Sequence, residues 1–313
     1  MPQDAFTMRQ ATAELDSLLA AAKINKITQP SSDEIVLQVY AAGKNLNLAL
    51  SANAGTARVC PTKRERKNPQ VAPNFCMLLR KHLSGATVTR VSQPGYERIV
   101  EIVFEAKNDF RESVEKKLVC EIMGKYSNVI LIENGKVLGA LRPSIGDLNA
   151  PRILLPGVSY SLPPAQDKLE ITEKTRVLGA FSNFGGGAAD KFLSSVIKGV
   201  AASTAREAAI GFFGKTDILP FPDKAEEFYE YLLSFLEDPT VKPNVCGGDF
   251  YLTDYKTVSG DKIFFDSVLD AEEYFFDKIV SEKSSGAERK ILADKLKSHE
   301  KKLYKKLRLL AEK

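Results

Sequence analysis

An acid–base pair beside a predicted turn is the strongest candidate for chemistry in this chain of 313 residues. Residues 93–98 read Gln-Pro-Gly-Tyr-Glu-Arg, and the Pro-Gly turn places Glu97 and Arg98 at the start of an apolar strand predicted over 99–104. An arginine at a strand entrance can bind a sugar–phosphate backbone while the neighbouring carboxylate accepts hydrogen bonds from ribose or base groups. A solvated ion pair is the alternative interpretation of the same two residues.

Positively charged residues elsewhere are candidates for contact with a nucleic-acid backbone. One cluster lies in a Pro-rich loop predicted over 61–73 and a second at the end of a helix predicted over 73–83. A third lies in residues 283–313, which hold eleven Lys or Arg against four Asp or Glu. Such patches are typical of proteins that bind nucleic acid, although a solvated helix face has the same composition. The candidate backbone contacts are Lys63, Arg64, Arg66, Lys67, Arg80, Lys81, Lys198, Gly199, Lys301, Lys302 and Lys305.

Residues 196–207 indicate a helix–hairpin–helix, in which two helices are joined by a tight turn at Gly199 and the second helix is capped by Ser203. The free backbone N–H groups of the turn and the N-terminus of the second helix would face a phosphate. Ala201 stands where the second glycine of such a hairpin usually lies. A plain helical turn is therefore the alternative.

The composition argues against most catalytic and metal chemistry. The chain has two histidines, no Cys-x-x-Cys spacing, no phosphate-binding loop and no G-x-S-x-G motif, so we predict no metal, no cofactor and no hydrolase triad. Scattered cysteines, the lack of a long apolar run and the lack of a signal peptide lead us to expect a cytoplasmic protein outside the membrane. One enzymatic alternative is an Fpg-like DNA glycosylase/lyase, because removal of Met1 would expose Pro2, a secondary amine able to attack a sugar aldehyde carbon.

Hydrophobic periodicity predicts the elements that position these residues. Two antiparallel meanders are indicated, and the second contains Asn134-Gly135, a strong hairpin signal because both residues tolerate positive φ. Residues 143–173 read as a Pro- and Gly-rich connector, and 174–237 as helices. The remaining predictions are helices over 11–23, 73–83, 268–279 and 287–313, and strands over 35–40, 46–50, 57–60, within 87–142 and within 249–266. The predicted fold class is α+β with a mainly antiparallel mixed sheet.

The order and spacing of short motifs along most of the chain resemble the NFACT family. The matching segments are Asp4 with Phe6 and Thr7, and residues 26–30, 45–51, 75–81, 93–98, 121–128 and 156–164. The resemblance implies an NFACT-N domain over 1–173, a helix–hairpin–helix domain with return strands over 174–270, and the start of a basic coiled coil over 271–313. It also implies a further coiled-coil region and an NFACT-R domain in the full-length protein.

The resemblance further implies a factor of ribosome-associated quality control. Family members bind a large ribosomal subunit that still holds peptidyl-tRNA, recruit charged tRNA, and promote untemplated extension of the stalled nascent chain, which in bacteria adds alanine. The implied partners are the large subunit, tRNA, the peptidyl-tRNA nascent-chain complex and other quality-control factors, with no covalent chemistry by the protein itself. An older name of the family, fibronectin-binding protein, implies a surface adhesin instead.

The family's tRNA-binding positions can be transferred to this sequence residue by residue. They are Asp4, Glu97, Arg98, Glu121, Met123, Gly124, Lys125 and Asn128. Arg98 matches the arginine of the family's Asp-Arg pair, whereas Glu97 replaces its aspartate and moves the carboxylate about one methylene outward. Burial in the core is the alternative role for Met123.

Overall fold

The computed structural model describes residues 3–108, 110–144, 152–281 and 296. The chain divides into two compact units, Met1–Glu273 and Tyr274–Lys313. The first unit contains a large sheet with two helices, a group of four helices, and a small sheet. The α+β fold class is therefore confirmed, whereas the division at residue 173 stays a prediction.

Nine strands form one antiparallel sheet. They are β1 (Lys23–Ser31), β2 (Glu34–Ala41), β3 (Lys44–Ser51), β4 (Arg58–Pro61), β5 (Thr87–Ser92), β6 (Ile99–Lys107), β7 (Ser113–Glu121), β8 (Asn128–Glu133) and β9 (Lys136–Ala140). Their order is β4-β3-β2-β1-β5-β6-β7-β8-β9, so the two predicted meanders join edge to edge through β1 and β5. The hairpin at Asn134-Gly135 is confirmed, with φ of 50° and 73°.

Strand β1 was not predicted, and its geometry explains why. A register shift between Ile24 and Lys26 marks a bulge in its pairing with β2. The bulge lets Ile24 and Ile27, three positions apart, both enter the core, while Asn25 and Lys26 are both exposed. The alternation by which a strand is recognised in sequence is therefore interrupted.

Two helices pack against the sheet. Helix α1 (Ala5–Leu19) begins six residues before the predicted start because the Asp4 carboxylate accepts a hydrogen bond from the Thr7 backbone N–H at 2.8 Å, which caps the helix. It ends before Ala21, whose φ of 55° is left-handed. Helix α2 (Asn74–Leu83) confirms the predicted amphipathic helix, and its buried apolar residues join the main core.

The predicted helical region contains α3 (Lys174–Ser182), α4 (Ala189–Val196), α5 (Ala202–Phe213) and α6 (Ala225–Glu237), with two-residue strands β10 (Gly187–Ala188) and β11 (Asp217–Ile218). The phenylalanines of these elements form a second apolar cluster, in which Phe181, Phe221 and Phe228 contact one another. Ala5, Phe6 and Tyr96 from the sheet region belong to the same cluster. The helical region and the sheet region therefore share buried surface.

The chain then returns to a small sheet of order β13-β12-β14, made of β12 (Asn244–Cys246), β13 (Asp249–Tyr251) and β14 (Ile263–Phe264). A helix over 268–281 follows, close to its predicted range. The final predicted helix, with Lys301, Lys302 and Lys305, lies outside the described residues except for Leu296. No helix in the described part of the chain has both the length and the apolar character that spanning a bilayer requires.

Candidate functional site

A cavity of about 350 Å³ lies where the turn between β5 and β6 meets the turn between α4 and α5. Six of the residues singled out in the sequence line it, namely Asp4, Glu97, Arg98, Met123, Lys198 and Gly199. The remaining lining residues include Tyr126, Gln166 and Lys168. The fold thus brings together residues that are up to about 195 positions apart in the chain.

Arg98 is the most available cation of this cavity. Its side chain is half-buried, and among the described residues its guanidinium forms no hydrogen bond or ion pair. Burial lowers the pKa of Arg98, while the nearby Asp4 and Glu97 carboxylates oppose that shift. A guanidinium stays protonated in proteins, so Arg98 presents a partly desolvated positive charge with unused donors.

Glu97 pairs with Lys198 rather than with its neighbour in sequence. The Lys198 Nζ lies 2.8 Å from Glu97 Oε1 and 3.3 Å from Glu170 Oε1. Burial lowers the pKa of Lys198, but pairing with Glu97 and Glu170 outweighs burial and leaves the pKa raised. The charge of Lys198, which was predicted to contact a nucleic-acid backbone, is therefore already balanced by two carboxylates. Because Glu97 pairs with Lys198, it does not occupy the donors of Arg98.

Asp4 is buried at the start of two helices. Besides capping α1, its second oxygen accepts a hydrogen bond from Thr204 Oγ1 at 2.5 Å in the first turn of α5. Burial raises the pKa of Asp4, and hydrogen bonds from Thr204, Thr7 and Ala201 oppose the shift in part. The prediction that Ser203 caps α5 is wrong, because the helix begins after Ala201 without a side-chain cap of its own. The group bound at this helix start is the protein's own carboxyl group, that of Asp4.

Gly199 allows the helical hairpin to approach α1 closely. Its φ is +81°, and a Cβ at this position would lie 2.6 Å from Ala5 Cβ and 3.2 Å from the Tyr96 carbonyl oxygen. The Ala5 backbone N–H donates to the Gly199 carbonyl at 2.9 Å. A residue with a side chain would therefore separate the two walls of the cavity.

In the predicted motif over 121–128, some residues stabilise the fold and others line the cavity. Glu121 is fully buried, forms an ion pair with Arg152 and accepts a hydrogen bond from the Tyr160 hydroxyl at 2.9 Å. Asn128 bonds to the backbone of Arg142 in both directions. Neither residue lines the cavity, and both fasten β7 and β8 to later segments.

The turn between these two strands does reach the cavity. Gly124, with φ of 58°, begins a short 3₁₀ turn that ends at Tyr126. Met123 and Tyr126 line the cavity, and Lys125 Nζ lies 4.8 Å from the centre of the Tyr126 ring. Tyr126 is 68% exposed and was not predicted as a site residue, although it stands inside the motif that pointed here.

Several residues that were predicted to contact a nucleic-acid backbone instead form ion pairs or hydrogen bonds within the protein. Arg66 donates to both carboxylate oxygens of Glu34 at 2.7 and 3.0 Å. Lys63 pairs with Glu273, and Arg80 Nε donates to the Ile27 carbonyl oxygen at 2.8 Å. Arg64 and Lys67, by contrast, make no side-chain hydrogen bond or ion pair with any residue that the structure describes.

No group of three or more His, Cys, Asp or Glu in the described ranges could hold a metal ion. Pro2, the candidate nucleophile of the lyase alternative, lies outside those ranges. Gln166 and Lys168 were missed as lining residues because the connector over 143–173 carries no periodic pattern. The Lys168 Nζ is held by a hydrogen bond to the Ser194 carbonyl oxygen, a contact that the sequence does not indicate.

Comparison with known proteins gives a consistent result. The sequence profile described as NFACT N-terminal and middle domains matches residues 4–313. The Rqc2 homolog RqcH of Bacillus subtilis is 32% identical over 270 residues, which covers 85% of this chain and 47% of that protein. RqcH of Streptococcus suis is 36% identical over 171 residues, covering 54% of this chain and 31% of that protein. The chain thus spans less than half the length of these relatives.

Two solved structures share the fold. The N-terminal part of the fibronectin/fibrinogen-binding protein from Streptococcus suis aligns with a TM-score of 0.76 and 26% identity, covering 88% of this chain and 99% of that one. The N-terminal domain of the fibronectin-binding protein PavA from Streptococcus pneumoniae aligns with a TM-score of 0.59 at the same identity, covering 88% and 98%.

Proposed function

Because this chain belongs to the family of NFACT N-terminal and middle domains, we propose that it is part of a ribosome-associated quality-control factor that recruits tRNA. In this proposal the protein binds a large ribosomal subunit that still holds peptidyl-tRNA. It then brings a tRNA, tRNA-Ala by the family's bacterial pattern, for untemplated tailing of the stalled chain. The work is done in the cytoplasm by binding, without covalent chemistry of the protein's own.

The state of Arg98 is the observation that carries the proposal. A half-buried guanidinium with unused donors, in a cavity that also holds Lys168 and the exposed ring of Tyr126, suits a phosphodiester and an unpaired base. The Glu97–Lys198 ion pair supports this assignment, because it neutralises the carboxylate that would otherwise repel a phosphate.

The test is tRNA binding by the 313-residue chain, measured by fluorescence anisotropy with labelled tRNA-Ala at several salt concentrations. We expect Arg98→Ala to weaken binding by about tenfold and to lower the salt dependence by about one phosphate contact. Arg90→Ala is the matched control, because Arg90 is exposed on β5 and its loss changes the charge equally. Equal affinities of the two variants, with unfolding temperatures equal to that of the parent, would refute the role of Arg98.

Ribosome binding is tested separately. The chain is mixed with purified large subunits carrying peptidyl-tRNA and sedimented through a sucrose gradient, with free large subunits as the control. Co-sedimentation with the first and not with the second supports the proposed partner. Absence from both fractions at low salt would contradict it.

A further inference from the structure

A second cavity, of about 240 Å³, lies on the outer face of the sheet at β1, β2 and β3. Its walls include Lys26, Gln38, Asn47, Arg64 and Asn68. None of its lining residues belongs to the Arg98 cavity. It is therefore a separate feature of the surface, and the tRNA-recruiting role described above makes no use of it.

The sheet register builds one wall of this cavity. Lys26 pairs with Gln38, and Gln38 pairs with Asn47, so one cation and two amides form a row across three strands. The bulge in β1 is what turns Lys26 outward. Rows of polar side chains with unused donors and acceptors on an open sheet face can bind a polar ligand laid across the strands.

The loop over 62–68 builds the opposite wall. Arg66 is bound by both oxygens of Glu34, and its Nη1 donates to Thr62 Oγ1 at 3.1 Å and to the Arg64 carbonyl at 2.7 Å. Glu34 also accepts from Arg58, whose side chain is 1% exposed. Arg66 is thus a fastener that holds the loop against the sheet, and it positions the neighbouring Arg64 beside Lys26.

The charge of the cavity is positive, because Lys26 and Arg64 together outnumber Glu65 and Arg66 is already paired with Glu34. Within the described ranges, neither Lys26 nor the Arg64 side chain has a hydrogen-bonding or ion-pair partner. Exposed Lys67 adjoins the same wall, and Glu65 is the one acidic side chain that lines it. Such a cavity attracts an anion and lacks the carboxylates that would bind a cation.

An exposed aromatic ring lies on the same face of the sheet, two residues from Gln38 along β2. Tyr40 is 50% exposed and pairs with Lys23 and Asn45 in the next outward row. Residues two apart on a strand share a face and lie about 7 Å from each other, so Tyr40 is next to Gln38. An exposed ring beside cations and amides on a sheet is the arrangement by which single-stranded nucleic acid is bound, through base stacking and backbone contacts.

We propose that the outer face of β1–β3, closed by the loop over 62–68, binds a single-stranded RNA segment. Lys26 and Arg64 contact its phosphates, the amides of Gln38 and Asn47 bond to sugar or base groups, and a base stacks on Tyr40. The assignment goes beyond tRNA recruitment at Arg98 and does not depend on it.

The test uses a fluorescein-labelled single-stranded RNA of twelve nucleotides, with anisotropy measured on the 313-residue chain. We expect the double variant Lys26→Gln/Arg64→Gln to bind about tenfold more weakly and to lower the salt slope by about 1.4, the value for two phosphate contacts on a single strand. We expect Tyr40→Ala to weaken binding by about fivefold or more. The matched control is Lys191→Gln/Lys215→Gln, which removes two exposed lysines of the helical region and should change nothing.

The inference would be overturned if the double variant bound the oligonucleotide with the same affinity as the control variant. It would also be overturned if the parent chain did not bind the oligonucleotide. The single-stranded assignment would be overturned if the parent chain bound an RNA duplex as tightly as the single strand and if Tyr40→Ala did not change the affinity for the single strand. Arg98→Ala is measured in parallel on labelled tRNA-Ala. Loss of tRNA binding in Arg98→Ala, with undiminished oligonucleotide binding by the double variant, would leave the proposed function standing and remove this one. Loss of oligonucleotide binding in the double variant, with undiminished tRNA binding by Arg98→Ala, would do the opposite.

Discussion

We expect the stability of the protein to fall as the pH rises toward 8, because of one buried carboxyl group. Glu272 is 1% exposed, and Gln3 Nε2 donates to one of its oxygens while the other has no partner among the described residues. Burial raises the pKa of Glu272 to about 8, and Glu14 adds to the shift while Arg58 and Gln3 oppose it. At neutral pH the folded protein therefore keeps this carboxyl protonated, whereas the unfolded chain ionises near its ordinary value of 4.5.

The sign follows from this difference in pKa. The folded state binds the proton more tightly, so the stabilisation is complete below pH 4.5 and is lost as the pH rises through 8. Between pH 5.5 and 8.5 the loss amounts to about 3 kcal/mol of unfolding free energy. Glu272→Gln stays neutral at every pH and retains an oxygen to accept from Gln3, so it should lack this loss.

The assay is urea unfolding of parent and variant at pH 5.5 and 8.5, followed by circular dichroism. Comparing the two proteins at each pH removes the contribution of all other titrating groups. We expect the variant to gain about 3 kcal/mol on the parent between the two values. Glu227→Gln, at an exposed position of α6, is the control and should run parallel to the parent. If Glu272→Gln also runs parallel, Glu272 is ionised in the folded protein and the reasoning is refuted.

Two further predictions concern the walls of the Arg98 cavity. Gly199→Ala should lower the unfolding free energy by roughly 1–3 kcal/mol in urea melts, since its Cβ would meet Ala5 at 2.6 Å in a left-handed backbone. Gly179→Ala, in α3 with open space around it, should be neutral or stabilising, and equal losses would contradict the steric argument. Asp4→Ala should cost about 1–2 kcal/mol through the lost cap of α1. Combined with Thr204→Val it should show non-additivity of at least about 0.5 kcal/mol, whereas additive losses would mean that the bond between Asp4 and Thr204 contributes nothing.

Local chemistry allowed much of the fold to be predicted from the sequence. The Asn134-Gly135 hairpin and the amphipathic α2 depend on residues next to one another, and both are confirmed. Strand β1 was missed because a bulge interrupts its alternation. The start of α1 was missed although its cap, the bond from the Thr7 N–H to Asp4, is local. Helix α5 lacks the predicted cap at Ser203, and its first turn is instead bound by a residue 200 positions earlier in the chain, a contact that only tertiary packing creates.

The candidate site shows the same limit. The family resemblance implied eight tRNA-binding positions, and four of them, Asp4, Glu97, Arg98 and Met123, line one cavity. Nothing in the sequence shows that Glu97 pairs with Lys198, because that contact exists only after the helical hairpin has packed against the β5–β6 turn. Tertiary packing also determines which residues of a motif stabilise the fold, as Glu121 does through its ion pair with Arg152.

The apolar cluster that the helices share with Ala5, Phe6 and Tyr96 limits where this chain can be cut into stable fragments. A fragment ending at residue 173 would leave those three side chains facing water and would remove the Gly199 wall from Arg98. Recombination between relatives at that point would exchange one wall of the Arg98 cavity and half of a core. The compact unit Met1–Glu273, by contrast, keeps the whole of that cluster and both walls of the Arg98 cavity together.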